Sequence, residues 1–377
     1  MKVKVLFIPG YMGSILEERH TKKVRWVRVS DFFSNFWDLS MTETYSDLPK
    51  KNDLVPGELL FQVRVIPKIL EVESYNKTFV HLEKFCTSTK RELHYVTFDW
   101  REDFYHGIQR IHEKVEELTK DGSQLEIVAH STGGYLASYY MRYGANDFFE
   151  AQENWSGALK VKKFAIVASP LRGALSLLKH INEGTPALRN KKLCGSLDYS
   201  TFKSSYFFIP HKDLLKFQII KGRERKLVDG LDLSSVESYK KNQWGPFKPE
   251  HLSEIPVVDK KLQQIIERGK KFQELMLANV EVKPAYKTKI LVLRGEGRPT
   301  YFYPTIKEND LNKTPLKISY KRSERIDGDG IVSALSSKPL DWFNEHELKV
   351  VTNSEEHLKI ISNYHSQKII HQFLEND

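Results

Sequence analysis

The sequence predicts an α/β protein with a mainly parallel central sheet and helices on both faces. Short apolar runs typical of buried strands alternate with segments of helical spacing along the chain. This alternation is typical of parallel sheets, whose crossover helices cover both faces. Two segments interrupt it, residues 14–60 and 172–260, and each follows the end of a predicted strand. We therefore expect one domain, residues 1–377, that carries two insertions.

The strands and helices can be assigned in order. The first strand, "VKVLFIPG", ends in a Pro-Gly turn, and "FQVRVIP" (61–67) alternates as a second strand. A helical pattern (74–93), the strand "HYVTFDWR" (94–101) and an amphipathic helix (103–122) that Gly122 ends come next. The strand "LEIVAH" leads through Ser131 into a helix that reaches about Arg142. The remaining predicted elements are strands at 161–170, 287–297 and 346–353 and a helical segment at 356–375.

The two insertions are expected to cover a ligand site. Residues 14–60 are rich in aromatic and charged residues, and residues 172–260 contain "SSYFFIP" but no clear sheet strand. Open α/β sheets bind ligands at the carboxyl ends of their strands, which is where both insertions begin. We expect residues 14–60 to form a lid that contacts a membrane and residues 172–260 to form a cap.

Composition narrows the class of protein. The 377 residues are 40% hydrophobic and 28% charged, as in soluble globular proteins. Two cysteines exclude a disulfide scaffold, and no Cys/His cluster has metal-ligand spacing, so neither a metal nor another cofactor is expected. The first residues are too short and too strand-like for a signal peptide, and no apolar run is as long as a membrane span. A cytoplasmic protein, peripheral at most to a membrane surface, is the expectation.

The stretch "LEIVAHSTGG" is typical of a nucleophile elbow. In such an elbow a serine stands at a strained turn between a strand and a helix, and small neighbours let the main chain and the helix pack closely. Ala129 and Gly133 flank Ser131 at two residues on either side, so the pattern departs from G-x-S-x-G only by an alanine. A strand-to-helix turn capped by serine is the alternative interpretation.

A nucleophilic serine needs a base, and the base needs an acid that orients it. In the α/β-hydrolase fold these follow in the order serine, acid, histidine. "ERIDGDGIVSALS" supplies Asp327 and Asp329, and "NSEEHLKIISN" supplies His357 after a late strand. A plain turn or a calcium loop is the alternative for the first motif, and a residue near a helix cap is the alternative for His357.

The loop "FIPGYMGS" after the first strand is the candidate for half of an oxyanion hole. Backbone N–H groups held near the nucleophile stabilise the negative charge that develops in acyl transfer. We expect one donor from Thr132, directly after Ser131, and the other from Tyr11. An ordinary Pro-Gly turn is the alternative.

With these motifs in place, the chain resembles the lecithin:cholesterol acyltransferase family, and most closely its lysosomal phospholipase A branch. The matching motifs, in order, are "FIPGYMGSILE", "FDWR", "IVAHSTGG", "ASPLRG", "DGDGIVSALS" and "SEEHLKIISN". "FFSNFWDLSMTE" is similar to that branch's lid and "SSYFFIP" to its cap. The likeness runs from about residue 3 to residue 373.

The resemblance implies an α/β-hydrolase with Ser131 as nucleophile, Asp329 as acid, His357 as base, and Tyr11 and Thr132 as oxyanion donors. Asp327 is the second candidate for the acid. The chain departs from the family in two places. It has no cysteine between Gly13 and Leu60, where the family has a lid disulfide, and it has Ile331 where the family usually has threonine.

These observations favour a serine esterase or acyltransferase that acts on fatty acyl esters of lipids, such as a phospholipase A or a lipase, at a membrane or micelle surface. Phe36 and Trp37, in an aromatic cluster of the lid, and Met12 are the candidate substrate-binding residues. A packed core under a loop is the alternative for the cluster. A carboxylesterase for small soluble esters is the second functional hypothesis, and a non-enzymatic binding protein is the third.

The net charge of +9 also raises the question of nucleic acid. The basic residues are scattered, no nucleic-acid-binding module is recognisable, and no nucleic-acid partner is expected. The densest basic patch is "RHTKKVRWVRV", which contains Lys22, Lys23, Arg25 and Arg28 around Trp26. We expect it to dock on anionic lipid, with a solvated charged face as the alternative.

Overall fold

The computed structural model describes residues 2–28, 30, 33, 38–49, 53–61, 75–185, 192–230 and 232–376, with the backbone alone at 321–324. Phe36, Trp37 and the predicted strand beyond Phe61 lie outside these residues. The strands are β1 (Val3–Ile8), β2 (Ser14–Glu18), β3 (Val24–Trp26), β4 (Leu54–Leu59), β5 (Glu92–Tyr95), β6 (Gln124–His130), β7 (Val161–Val167), β8 (Lys216–Lys221), β9 (Glu224–Asp229), β10 (Lys289–Gly295), β11 (Arg298–Lys307), β12 (Ile318–Gly328) and β13 (Glu347–Asn353). The helices are α1 (Asn76–Ser88), α2 (Phe104–Thr119), α3 (Thr132–Tyr143), α4 (Ser176–Glu183), α5 (Ser196–Thr201), α6 (Ser204–Phe207), α7 (Val236–Asn242), α8 (Pro249–Leu252), α9 (Asp259–Leu277), α10 (His357–Ile360) and α11 (Tyr364–Glu375).

The central sheet has six strands in the order β13-β10-β7-β6-β1-β5. Every neighbouring pair in it is parallel. The predicted class, a mainly parallel sheet with helices on both faces, is confirmed.

Alternate residues of each central strand face opposite cores. In β1, Val5 and Phe7 pack in the core that contains Leu82 of α1 and Ile370 of α11. Their neighbours Leu6 and Ile8 face the other core, which contains the buried side chains of α2 and α3. The period of two follows from the pleat, and apolar residues at both phases explain why the strand reads as one continuous run.

The segment 14–60 contributes a small antiparallel sheet in the order β3-β2-β4. Its later part, residues 38–49, is fixed to α5 by side chains of that helix. Asp198 accepts a hydrogen bond from the Leu39 N–H at 3.0 Å, and Thr201 Oγ1 accepts one from the Met41 N–H at 3.0 Å. The two insertions therefore contact each other in the structure.

The segment 172–260 contains α4 to α8 and also β8 and β9, so the expectation that it holds no clear strand was wrong. These strands form an antiparallel hairpin through Gly222 and join β11 and β12 in a second sheet, in the order β12-β11-β8-β9. Strand β9, "ERKLVD", is the edge strand and is largely exposed. A charged edge strand carries no buried run, which is the signal that the sequence pattern relied on.

Across the described residues, no helix combines the length and the apolarity that a membrane crossing requires.

Candidate active site

Ser131 stands at a sharp turn between β6 and α3. Its φ of 52° and ψ of −123° lie in a region that non-glycine residues rarely adopt, and its N–H donates to the Val167 carbonyl at 2.8 Å. A Cβ on Gly133 would lie 2.4 Å from the Pro9 carbonyl oxygen, and one on Gly134 would lie 2.1 Å from Ser169 Oγ. The two glycines are therefore required by the close approach of α3 to the neighbouring chain.

His357 lies within hydrogen-bonding distance of both Ser131 and Asp329. His357 Nε2 is 3.0 Å from Ser131 Oγ, and His357 Nδ1 is 2.8 Å from Asp329 Oδ2. All three side chains are buried. The backbone adds a further tie, because the His357 N–H donates to the Asp329 carbonyl at 3.0 Å. This arrangement can pass a proton from the serine to an imidazole that a carboxylate orients.

The acid in contact with His357 is Asp329 and not Asp327. The other oxygen of Asp329, Oδ1, accepts the N–H groups of Ile331 and Val332 at 3.0 and 2.7 Å. Burial raises the pKa of Asp329, but His357 and these two N–H groups outweigh burial and hold the pKa below its ordinary value. Asp327 is exposed and accepts the N–H groups of Gly297 and Gly328 instead.

The chain order of these three residues, the strained elbow at the end of a central strand and the parallel sheet decide the architecture. The fold is that of an α/β-hydrolase. In this α/β-hydrolase the elbow follows β6, the acid lies beyond the β10–β12 region, and the base begins the helix after β13.

A cavity of about 470 Å³ opens onto Ser131 and His357. Tyr11, Met12 and Thr132 line it. Much of the rest of its wall is apolar and comes from the segment 172–260 and from residues that follow the acid and the base. These residues include Ala174, Leu177, Tyr199, Phe208, Ile331, Val332 and Leu358. The volume is in the range of small-molecule pockets.

The expected oxyanion donors lie beside the nucleophile. Thr132 is the first residue of α3, and the N–H groups of a first helical turn have no acceptor within the helix. Tyr11 lines the same cavity, and its ring packs edge-to-face on Trp100 and Phe208, with centroids 5.1 and 5.7 Å away. Their role as N–H donors to an oxyanion stays a prediction.

Trp26 is a cavity residue that the sequence pattern did not reveal. It lies among basic residues in the sequence, yet its side chain is buried and lines the cavity. Its indole N–H donates to the Met12 carbonyl at 2.9 Å, and its ring packs on Trp100 with centroids 5.4 Å apart. In the sequence, the hint to this role was a tryptophan within a charged stretch. Contact with a membrane explains that pattern equally well.

The basic patch around Trp26 is partly neutralised by acids. Lys22 pairs with Glu17 at 2.9 Å, and Arg25 pairs with Glu18. Both pairs lower the positive charge that the patch presents, and the exposed Lys22 contributes little to stability through its pair. Docking of the patch on anionic lipid stays a prediction.

This chain is similar to one family model and to several solved structures. A model of the lecithin:cholesterol acyltransferase family matches residues 65–235, a stretch that contains Ser131 but ends before Asp329 and His357. No curated protein matches the chain. The structure of the Tle4–Tli4 complex has a TM-score of 0.60 at 11% identity, over 99% of this chain and 98% of that chain. The mature Bacillus licheniformis lipase BlEst2 has a TM-score of 0.38 at 11% identity, over 99% and 92% of the two chains. The lin2722 product of Listeria innocua has a TM-score of 0.36 at 13% identity, over 100% and 95%.

Proposed function

We propose that this α/β-hydrolase cleaves carboxylic esters through an acyl intermediate on Ser131. The observation that carries the proposal is the hydrogen-bonded sequence from Ser131 Oγ through His357 to Asp329, at 3.0 and 2.8 Å. The family model that matches residues 65–235 supports acyl-ester chemistry, since it describes an acyltransferase family.

In the proposed reaction Ser131 Oγ attacks the ester carbonyl carbon while His357 Nε2 takes the proton of the serine hydroxyl. The carbonyl oxygen becomes an oxyanion, which the N–H groups of Tyr11 and Thr132 stabilise. His357 then gives its proton to the departing alkoxide, and the acyl group remains on Ser131. Water or a second alcohol attacks this ester and loses a proton to His357. His357 then returns the proton to Ser131 Oγ as the acid or a new ester is released. Asp329 stabilises the imidazolium in both halves.

The proposed substrates are fatty acyl esters of lipids. The apolar wall formed by Leu177, Phe208 and Trp26 is suited to an acyl chain, and the motifs resemble most those of the lysosomal phospholipase A branch. We therefore propose a phospholipase A, lipase or lipid O-acyltransferase activity, with phospholipid as the first substrate to test.

Two measurements test the proposal. A fluorophosphonate probe should label the protein once, at Ser131, and should not label Ser131→Ala. That variant should remain folded, because the change removes one oxygen atom, and its ester turnover should fall to background. Labelling at another residue, or full turnover by folded Ser131→Ala, would contradict the proposed nucleophile.

The substrate class is tested with esters of increasing chain length and with phospholipid vesicles, with and without an alcohol acceptor. Turnover should increase with chain length and rise once the substrate aggregates, and a new ester should form if an alcohol can accept the acyl group. Turnover of short esters alone, with no rise on aggregation, would favour a carboxylesterase for small soluble esters.

A further inference from the structure

A chain of buried hydrogen bonds connects the oxyanion loop to the base. The Gly10 N–H donates to the Tyr75 hydroxyl at 2.7 Å, and that hydroxyl is 3.0 Å from His130 Nδ1. The other ring nitrogen, His130 Nε2, is 3.3 Å from the backbone carbonyl oxygen of His357. Tyr75 and His130 have no exposed surface.

The two ends of this chain determine its direction. The Gly10 N–H can only donate, and the His357 carbonyl can only accept. His130 Nε2 must therefore carry a proton to bond that carbonyl, and in the neutral ring Nδ1 is then an acceptor. Nδ1 accepts the hydroxyl proton of Tyr75, whose oxygen in turn accepts the Gly10 N–H. The direction thus assigns one tautomer to His130.

This chain of hydrogen bonds reaches all three parts of the proposed active site. Gly10 precedes Tyr11 in the oxyanion loop, His130 precedes Ser131 in the elbow, and His357 is the base itself. The His130 and His357 rings also pack together, with centroids 5.1 Å apart and planes at 38°. These contacts fix backbone groups on both sides of the serine.

We propose that Tyr75 and His130 are positioning residues. They hold the oxyanion loop and α10, the helix that begins at His357, at a fixed distance from Ser131. This inference rests on the proposed function, because it assigns a purpose to the same site. Tyr75 fixes the peptide of Gly10 and so the direction of the following N–H groups, while His130 fixes the backbone of His357 and so its ring.

The first experiment compares Tyr75→Phe with Tyr139→Phe. Tyr139 is a matched control, because it is equally buried and its hydroxyl also bonds one backbone group, the Asn146 carbonyl at 2.9 Å, but it does not line the cavity. For a short p-nitrophenyl ester, kcat of Tyr75→Phe should fall at least about tenfold with little change in KM, since displacements near 1 Å have such effects. Tyr139→Phe should keep its kcat within about twofold at a similar melting temperature. Equal kcat values for the two variants would overturn the proposal.

The second experiment tests the His130 link. His130→Gln can place an amide donor near the position of Nε2, whereas His130→Leu cannot, so Gln should retain more kcat than Leu. Both substitutions interrupt the same chain of hydrogen bonds. The double variant Tyr75→Phe, His130→Leu should therefore lose no more kcat than the worse single variant. Additive losses would mean that the two residues act separately and would overturn the proposal.

A third measurement does not depend on activity. In protein labelled with ¹⁵N-histidine, with His130 assigned from His130→Gln, the proton should reside on Nε2 and not on Nδ1. The Gly10 amide should exchange with solvent faster in Tyr75→Phe than in the wild type. A proton on His130 Nδ1 would contradict the proposed chain of hydrogen bonds, even if the protein hydrolyses esters. If the wild type hydrolyses no ester, the proposed function fails while this measurement still decides whether the chain exists.

Discussion

Replacing Gly133 by alanine should separate the nucleophile from the oxyanion loop. The new Cβ would lie 2.4 Å from the Pro9 carbonyl oxygen and 2.6 Å from that of Ile8. Ordinary van der Waals contact begins at 3.4 Å, so the Pro9 contact is short by 1.0 Å. Both neighbours are backbone atoms and cannot rotate away. The end of β1 must therefore move by about 1 Å relative to α3.

Tyr11 follows Pro9 by two residues, so the expected oxyanion donor moves with the strand end. A misplacement near 1 Å costs roughly a hundredfold in rate, which corresponds to about 2.7 kcal/mol in the barrier. Overpacking of this kind also costs roughly 1–3 kcal/mol of stability. We expect folded Gly133→Ala protein with kcat on a short p-nitrophenyl ester lowered by about two orders of magnitude.

Two alanine variants serve as controls, measured for kcat, fluorophosphonate labelling rate and melting temperature. Gly134→Ala meets the Ser169 side chain and should lower the melting temperature more than it lowers kcat. Gly57→Ala meets only the flexible Glu17 side chain, at 3.3 Å, and should change neither. Wild-type kcat in Gly133→Ala would refute the reasoning that the elbow sets the position of the oxyanion loop.

Three other predictions follow from the structure. Asp329→Asn should lower kcat by orders of magnitude and Asp327→Asn far less, because only Asp329 contacts the base, and the reverse ranking would reassign the acid. Trp26→Ala should lower kcat/KM more for long-chain than for acetyl esters, and equal losses would indicate a structural role only. Burial lowers the pKa of His346 to about 4, so its contribution to stability is complete above pH 6.5 and is lost as the pH falls. Unfolding titrations should show a loss of roughly 3 kcal/mol between pH 6.5 and 4 that His346→Gln removes, and an unchanged pH dependence in that variant would contradict this.

The central sheet and the catalytic candidates could be predicted because their signals are local. The elbow is a contiguous pattern, and Asp329 and His357 lie in short motifs that follow predicted strands. The boundary of β5 was less visible. Strand β5 spans Glu92–Tyr95, so it begins and ends earlier than the predicted strand at 94–101. Arg101 lies beyond it, buried and paired with Asp99 at 2.7 Å.

Features that depend on distant contacts could not be read from the sequence. Tyr75 lies in a segment with helical spacing, and nothing near it indicates a bond to Gly10 across 65 residues. Trp26 has charged neighbours in the chain but Met12 and Trp100 as neighbours in space. Both residues make these contacts only when the fold brings distant segments of the sequence together.

The order of synthesis has a consequence for when this site can act. Ser131 precedes its base by 226 positions, and at roughly 5–20 residues per second the serine is made some 10–45 s before His357. For most of that interval the growing chain has an elbow but neither the acid nor the base. Strand β10 has not yet joined β7, and β13 has not yet joined β10. Under the proposed function, a half-made chain lacks the base that activates Ser131 and cannot cleave esters. The proposed activity therefore requires the chain to be completed past the last strand of the sheet, because His357 follows β13.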